Sequence, residues 1–439
     1  RRALRRGTTV AVTGCAAHAA AGEDAWAGMD GLAAVDADKD RLLERLAETG
    51  CVPEAPSAPK PDQERSQWPG NTDGQAASGP RPPAPSQPRS RAMLKVQDGC
   101  PGGCAYCIVP KVRPVVRSVP PEEAVRQAAA LVAEGFREIV VCGIHLGLYG
   151  VDLGPARQRP DVIPTEPSQS DGERRNLAAP PFEQHNGHDH GEIPRLGPSA
   201  LARNDARGAL ADLLARLLAV EGLGRLRLSS LSPADVDEPL LALMVAEPDR
   251  LCPHLHLSLQ SGDDAVLARM GRPYTAETFL DTVARVRAAL DEPAVTTDVL
   301  VGFPGETESA FERTLAVCWE AAFSRMHVFP FSARPGTDAA AMAGRVPRAV
   351  ARERRQRADE VGDALADAYR RRLVGRHERM VVERIRPDAS AEGVAGRYVR
   401  VRIAGRLPEG VRRRDLVAVR LKDVDGEALL GCTTTNTRP

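Results

Sequence analysis

Three cysteines, Cys100, Cys104 and Cys107, fall within the run Asp98-Gly99-Cys100-Pro101-Gly102-Gly103-Cys104-Ala105-Tyr106-Cys107. Four thiolates would close a zinc or iron–sulfur site, whereas three leave one position unfilled by protein. A Gly-rich loop lets the backbone wrap tightly, so thiols at this spacing suit a [4Fe-4S] cluster with one iron open to a substrate or cofactor. A zinc clip is the competing reading. Nine cysteines, an odd number in a long chain without a secretory leader, argue against a disulfide framework. Cys142, Cys252, Cys318 and Cys432 lie in apolar runs and read as small buried hydrophobes. Cys51 opens a polar stretch and matches nothing.

The elements that must position this loop follow from periodicity. Strand-like runs at 93–97, 138–142, 225–230, 254–259, 294–301 and 325–329 alternate with helical periodicity at 121–134, 208–220, 236–245, 275–290 and 308–322. Six strands separated by helices imply right-handed crossovers and a parallel sheet curled into a full or partial barrel, with ligands at the carboxyl ends of the strands. The thiol loop follows the first strand directly, at that end. Ahead of it, 8–12 reads as a strand and 38–49 as a helix, an edge of an α/β layer. A long charged helix, 348–373, leads to short alternating strands at 379–385, 398–403, 416–421 and 428–432, which suggest a small closed β-barrel.

The division expected is 1–50 for a partial N-terminal α/β domain, 51–92 for a disordered linker, 93–345 for the barrel, 346–372 for a connecting helix and 373–436 for the β-barrel. The linker is rich in Pro, Ser, Gly, Gln and Ala, a composition that cannot offset its ordering entropy. A polar, Pro-rich insertion at 155–207 interrupts the barrel. It carries His185, His188 and His190, read as a solvated loop rather than a metal site.

The chain has 439 residues with 59 Lys and Arg against 59 Asp and Glu, so global charge steers no partner. From Leu373 onward, however, 14 Lys and Arg face 9 Asp and Glu, a local net charge of +5 that suits phosphate contact. No run of 18 apolar residues exists, which excludes a membrane-spanning helix and points to a cytoplasmic protein.

The CxxxCxxC spacing, with an aromatic before the last cysteine, resembles the radical S-adenosylmethionine (SAM) superfamily. Lys95-Val96-Gln97-Asp98-Gly99-Cys100, Cys107-Ile108-Val109-Pro110 and Val116-Arg117-Ser118 are similar to the tRNA and ribosomal-protein methylthiotransferases. Gly143-Ile144-His145-Leu146-Gly147, Leu226-Arg227-Leu228-Ser229-Ser230, Cys252-Pro253-His254-Leu255-His256, Leu259-Gln260-Ser261-Gly262 and Val301-Gly302-Phe303-Pro304-Gly305-Glu306-Thr307 are similar to one branch. That branch methylthiolates carbon 2 of N6-threonylcarbamoyladenosine at tRNA position 37.

The resemblance implies a partial (βα)6 radical SAM barrel, a remnant of the N-terminal methylthiotransferase domain and a C-terminal TRAM RNA-binding barrel. It implies a cluster on Cys100, Cys104 and Cys107 that cleaves SAM to a 5′-deoxyadenosyl radical, and a flavodoxin or ferredoxin as electron donor. Tyr106, Gly143, Ile144, Gln260, Ser261, Gly302 and Gly305 are the SAM-pocket candidates. Arg397, Arg400 and Arg402 are read as one face of one strand, placed for phosphates of a tRNA anticodon stem-loop. A monomer is expected on family grounds. His145 and His256 are tempting acid–base groups, although packed histidines are commoner near strand ends.

The family's second cluster takes three N-terminal cysteines. Here Thr13-Gly14-Cys15 matches the last of them, the other two have no counterpart, and a chain truncated at its start is expected. Arg113-Pro114-Val115 departs from the usual Arg-Gly, which predicts a reshaped loop beyond the cluster. The alternative functions are methylthiolation of a ribosomal-protein aspartate and a non-catalytic iron–sulfur protein that binds tRNA.

Overall fold

The protein is described by a computed structural model covering residues 10–13, 32–36, 89–154 and 208–434. Cys15, the expected helix at 38–49, nearly all of the 51–92 linker and the 155–207 insertion lie outside the described residues. Near the N-terminus β1 (Val10–Thr13) and β2 (Leu32–Asp36) form a parallel pair.

The main α/β layer begins at β3 (Ala92–Asp98), with the short α1 (Val109–Val112), the antiparallel edge strand β4 (Arg117–Ser118) and α2 (Pro121–Ala133) before β5 (Glu138–Gly143). After α3 (Ala209–Leu218) come β6 (Arg225–Leu228) and β7 (Ser230–Leu231), then α4 (Glu238–Ala246) and β8 (His254–Leu257). The rest is α5 (Asp264–Arg269), α6 (Ala276–Ala289), β9 (Ala294–Val301), α7 (Glu308–Ala321), β10 (Arg325–Pro330) and α8 (Asp338–Ala341). Two four-stranded sheets result, ordered β4-β3-β5-β6 and β7-β8-β9-β10, parallel throughout except at β4.

The run expected as one strand at 225–230 is broken at Ser229, whose N–H donates to the Val141 carbonyl at 3.0 Å. β6 therefore pairs with β5, while β7 pairs with β8. The chain turns from one sheet into the other at this residue.

Helix starts are fixed by side-chain caps, as the sequence dictates. Asp237, Asp263, Thr275 and Thr307 each accept the N–H three residues on, at 2.9–3.2 Å. The helices then bury apolar stripes on the sheets, such as Leu213, Leu214 and Leu217 of α3 over Ile139 and Leu226. Short helices α1, α5 and α8 went unforeseen because four to six residues carry no readable period.

Helix α9 (Arg348–Leu373), 26 residues and about 39 Å long, packs along β10 and α7. Arg354, half-way up its first half, is buried against Glu306 at 2.8 Å and Glu308 at 3.0 Å. Beyond it β11 (His377–Ile385), β12 (Ala391–Ala395), β13 (Arg400–Ile403), β14 (Leu416–Asp425) and β15 (Ala428–Thr433) close a five-stranded barrel in the order β11-β12-β13-β15-β14. Its core is Met380, Val382, Val401, Ile403, Val419, Leu421 and Leu429. The strand that sequence periodicity missed is β12, Ala-Glu-Gly-Val-Ala. A Cβ on its Gly393 would lie 2.0 Å from the Val381 carbonyl, so close strand approach, not β-branched packing, selects its residues.

A fully buried carboxylate joins the two parts. Glu138, fully buried at the start of β5, accepts from Arg225 at 2.6 Å and from Arg227 at 2.8 Å. The rest of each guanidinium donates to the C-terminal barrel: Arg225 to Val394 O at 2.9 Å, and Arg227 to Ala395 O at 3.0 Å and Gly396 O at 2.9 Å. The barrel is thus docked at the amino ends of the strands, away from the thiol loop. Among the described residues, no helix is long and apolar enough to cross a membrane.

Glu138→Gln should cost about 3–5 kcal/mol in denaturant unfolding, because it leaves two buried guanidinia short of an anion. Burial pushes the Glu138 carboxyl up, but Arg225 and Arg227 outweigh it and hold it at about 2, below its usual 4.5. A depressed carboxyl stabilises above its unfolded value and loses that contribution as pH falls through the folded one. The gap between wild type and Glu138→Gln should therefore close as pH is lowered from about 4.5 towards 2. A gap that is constant with pH, or absent, contradicts the assignment.

Candidate functional site

β3 delivers its chain into the thiol loop through Gly99, at φ +76°. A Cβ there would stand 1.8 Å from the Val115 carbonyl oxygen, so no other residue fits. Asp98 locks the turn by accepting from Lys95 at 2.8 Å, from Arg113 at 3.0 Å and from the Gly99 N–H at 2.9 Å. The Cys100 N–H donates to the Arg113 carbonyl at 2.9 Å. The segment with the unusual Pro114 is therefore laid directly against the start of the thiol loop.

The middle of the loop is held from two distant segments. Ala105 N–H donates to Met270 O at 2.9 Å, and Ala339 N–H donates to Ala105 O at 2.8 Å. Gly271, at φ +72°, approaches so closely that a Cβ would lie 2.3 Å from Gly103 O. Tyr106 stands edge-on to Phe303, ring centroids 6.5 Å apart, which brings the 302–305 turn beside the loop. Burial, little relieved by Arg272, pushes the Tyr106 phenol well above its usual range.

All three thiols are free and partly accessible. Each has a distinct environment. Cys100 Sγ accepts from Gly102 N–H at 3.4 Å and faces His145 Nδ1 at 3.7 Å. Burial works against its ionisation, but His145, the Gly102 amide and Arg272 bring the thiol below its usual value. Cys104 Sγ accepts from the Arg272 guanidinium at 3.3 Å. Cys107 is pushed up by burial and by the charges of Cys104 and Cys100.

His145 is itself held by Asp235, Nε2 to carboxylate 3.1 Å. Burial would lower its pKa, but Asp235 and Cys100 more than offset this and raise it to about 10. Gly147 makes the pairing possible, because a Cβ there would overlap the Asp235 carboxylate at 1.9 Å. Sequence reasoning missed Asp235, Gly271 and Arg272. Asp235 sits in Ser232-Pro233-Ala234-Asp235, which reads as a capping box and forms one. Gly271-Arg272-Pro273-Tyr274 reads as a turn, and nothing local ties it to residue 104.

The donor set can be tested against its two candidates. A single ion draws thiolates almost into contact, at metal–sulfur distances of about 2.3 Å. Among the described residues no three Cys, His, Asp or Glu side chains converge in that way. A cubane takes one thiolate at each of several corners, and three free, partly accessible thiols on one loop, with an amide at Cys100 and a guanidinium at Cys104, suit that demand.

The expected pocket residues divide. Ile144 is exposed and Gly143 rests on Gln97, whose Oε1 accepts the His145 N–H at 2.8 Å. Gln260, at φ +66°, bridges β9 through its backbone to Asp298 O and Leu300 N. Ser261 is fully buried, its hydroxyl 3.2 Å from that of Thr314 and accepting from Asp263 N–H, so it packs rather than lines a pocket. Gly302 and Gly305, read as pocket glycines, give way to Ala351 of α9 and to the Arg269 guanidinium, where a Cβ would meet atoms at 2.8 Å and 2.4 Å. His256 is engaged by Thr296 at 3.0 Å and Asp298 at 3.2 Å. Cys252 and Cys318 are buried, but Cys142 and Cys432 are only half-buried.

The three arginines do not share a face. Arg400 and Arg402 alternate outward on β13, whereas Arg397 lies in the turn before it. Its side chain is largely buried, donating to Glu378 and to the Glu292 carbonyl at 2.8 Å. The odd spacing to residue 400 and this buried acid remove it from any phosphate surface.

Gly99→Ala should destabilise the chain by about 1–3 kcal/mol, since both φ and the Val115 contact must yield, and should lower iron retained after reconstitution. Unfolding curves and iron assays check this; a variant unchanged in both would contradict the geometry.

The Radical SAM superfamily profile matches residues 94–159 and 201–318. The threonylcarbamoyladenosine tRNA methylthiotransferase MtaB of Thermotoga maritima is 32% identical over 78% of this chain and 66% of its own length. MtaB of Chlamydia pneumoniae is 32% identical over 78% of this chain and 68% of its own. The tRNA-2-methylthio-N(6)-dimethylallyladenosine synthase 1 of Mycobacterium marinum is 33% identical over 78% and 58%. The chain thus spans about two thirds or less of the length of most of these relatives. A thiol loop at the end of the first strand, set in an alternating α/β layer and matched across most of the chain by such enzymes, leaves one conclusion: the chain belongs to the radical SAM methylthiotransferase family.

Proposed function

We propose that this chain is a tRNA methylthiotransferase that converts N6-threonylcarbamoyladenosine at position 37 to its 2-methylthio derivative by radical SAM chemistry. The observation that carries this reading is the thiol loop, clamped at the carboxyl end of β3 with cationic and amide donors on its sulfurs. We read the parallel strands as a partial (βα)6 barrel, roughly 93–345, and 373–436 as a TRAM-type RNA-binding barrel joined by the 346–372 helix. Cys15 is the candidate ligand of a second cluster.

Cys100, Cys104 and Cys107 would hold a [4Fe-4S] cluster, which supplies, when bound, one electron for the reductive cleavage of SAM. The chain's own residues prepare that site. Arg272 and the Gly102 amide stabilise negative charge on Cys104 and Cys100. Asp235 fixes the His145 ring so that Nδ1 faces Cys100. The Tyr106 and Phe303 rings, with Met270 and Ala339, form an apolar wall along one side of the loop. Arg400 and Arg402, exposed on β13, are suited to RNA phosphates. The target base must be unstacked to reach the barrel mouth. A flavodoxin or ferredoxin would supply the electron, in the cytoplasm.

A second tRNA substrate has specific support, because dimethylallyladenosine synthases match as closely as MtaB enzymes do. The relatives named are tRNA enzymes, which disfavours the ribosomal-protein aspartate.

The test incubates the reconstituted chain with reductant, SAM and tRNA carrying either N6-threonylcarbamoyl- or N6-dimethylallyladenosine at position 37, followed by nucleoside mass spectrometry. We expect the 2-methylthio product on the first tRNA alone, and none from Cys104→Ala. Product on the second tRNA alone moves the chain to the sister branch. Neither 5′-deoxyadenosine nor a methylthio product contradicts the radical reading.

A further inference from the structure

Between the sheet's concave face and the C-terminal barrel lies a cavity of about 790 Å³, within the range of small-ligand sites. It stands apart from the thiol loop, none of whose residues lines it: among its strand residues are His254 and His256 of β8, Thr296 of β9 and His327 of β10. Its other wall is Arg400, Arg402 and Tyr398 from the barrel side.

The lining is unbalanced in charge. Seven arginines face it against two glutamates. Several are answered: Arg227 by Glu138, Arg91 by Glu383 at 3.2 Å, and Arg402 by Asp425 at 2.7 Å and Glu392 at 3.4 Å. Arg384 and Arg400 meet no acidic partner among the described residues. Guanidinia in excess of carboxylates, on the wall of a concave space, set up a field that concentrates anions.

A second observation points to a ligand. His254 is 4% exposed and lines the cavity, and its Nδ1 is buried without any hydrogen-bond partner, while Nε2 lies 3.0 Å from Thr296 Oγ1. A buried polar atom left unpaired is costly, and an imidazole held in this way gives the cavity a polar rather than an apolar wall. Burial first, then Arg227, His256 and Arg91, hold this imidazole well below its usual pKa, which agrees with a positive surround lacking its anion. Burial, Arg325 and His256 likewise lower His327.

We propose that this cavity binds a small phosphorylated molecule with a hydroxyl-bearing remainder, of the size of a ribose phosphate. Phosphate, rather than a lone carboxylate, matches several guanidinia at once. The remainder is polar because the walls supply hydroxyls, Ser229, Ser230 and Thr296, and because the one aromatic ring among them, Tyr398, is already stacked on His254 at 4.7 Å and under Arg227 at 5.0 Å. The inference is independent of which tRNA, or whether any, is the substrate.

The experiment is calorimetric titration of the full chain with inorganic phosphate and with ribose 5-phosphate at constant ionic strength, chloride serving as control. Saturable binding at one ligand per chain is expected, tighter for the ester, weakened about tenfold or more in Arg400→Glu, as loss of one charge-assisted contact implies, and weakened by less in His327→Leu, which removes a neutral polar contact. Arg400 is exposed on β13, so its variant should retain the wild-type unfolding curve even if His327→Leu does not fold. Non-saturable heats, equal response to chloride, or undiminished affinity in Arg400→Glu would overturn the proposal. So would binding confined to a single-stranded RNA oligomer, which would make the cavity a backbone-phosphate groove.

Discussion

Everything in this molecule that bears on chemistry depends on holding an irregular loop still. Ten residues carrying three thiols have no helix or strand of their own, so their order must be imposed from outside. The imposition is steric at Gly99 and Gly271, where the backbone of one segment occupies the space of another's Cβ. It is hydrogen-bonded at Ala105, which donates to Met270 and accepts from Ala339. Segments some 165 and 235 residues away in sequence thus fix the loop, and the βα layer serves chiefly to bring them to one end.

The opposite end of the strands has a different task. There Glu138, Arg225 and Arg227 are drawn into a buried interface in which both guanidinia also donate to barrel carbonyls. Such a triad contributes little net stability compared with apolar packing, but it tolerates no other docking, because any shift strands a buried charge. The consequence is a defined cavity between the parallel strands and the C-terminal barrel, lined by His254, His256 and His327 and by several arginines. Polar residues here set geometry; the apolar core supplies the free energy.

Periodicity made most of the scaffold legible. β9 and α9 begin and end where alternation and charge pattern place them, because both are long and strongly patterned. Cys100, Cys104 and Cys107 were legible because their chemistry is local in sequence. What was not legible was non-local: Asp235 looks like a cap, Arg272 like a turn, and only folding brings the one to His145 and the other to Cys104. Gly302 and Gly305 are approached closely by Ala351 and Arg269, neighbours that their local sequence does not announce. Arg397 was assigned to the strand face of Arg400 although an odd spacing forbids it, and the buried Glu378 shows what it does instead.

The measurement that bears most directly on the account is iron and acid-labile sulfide per chain after anaerobic reconstitution, for the wild type and for the Cys100→Ala, Cys104→Ala, Cys107→Ala triple variant, with the reduced cluster's paramagnetic resonance recorded with and without SAM. The account predicts that the triple variant loses about four irons and that SAM alters the wild-type signal, as an open iron site requires. Iron content unaffected by the triple substitution, zinc in place of iron, or a signal indifferent to SAM would contradict it.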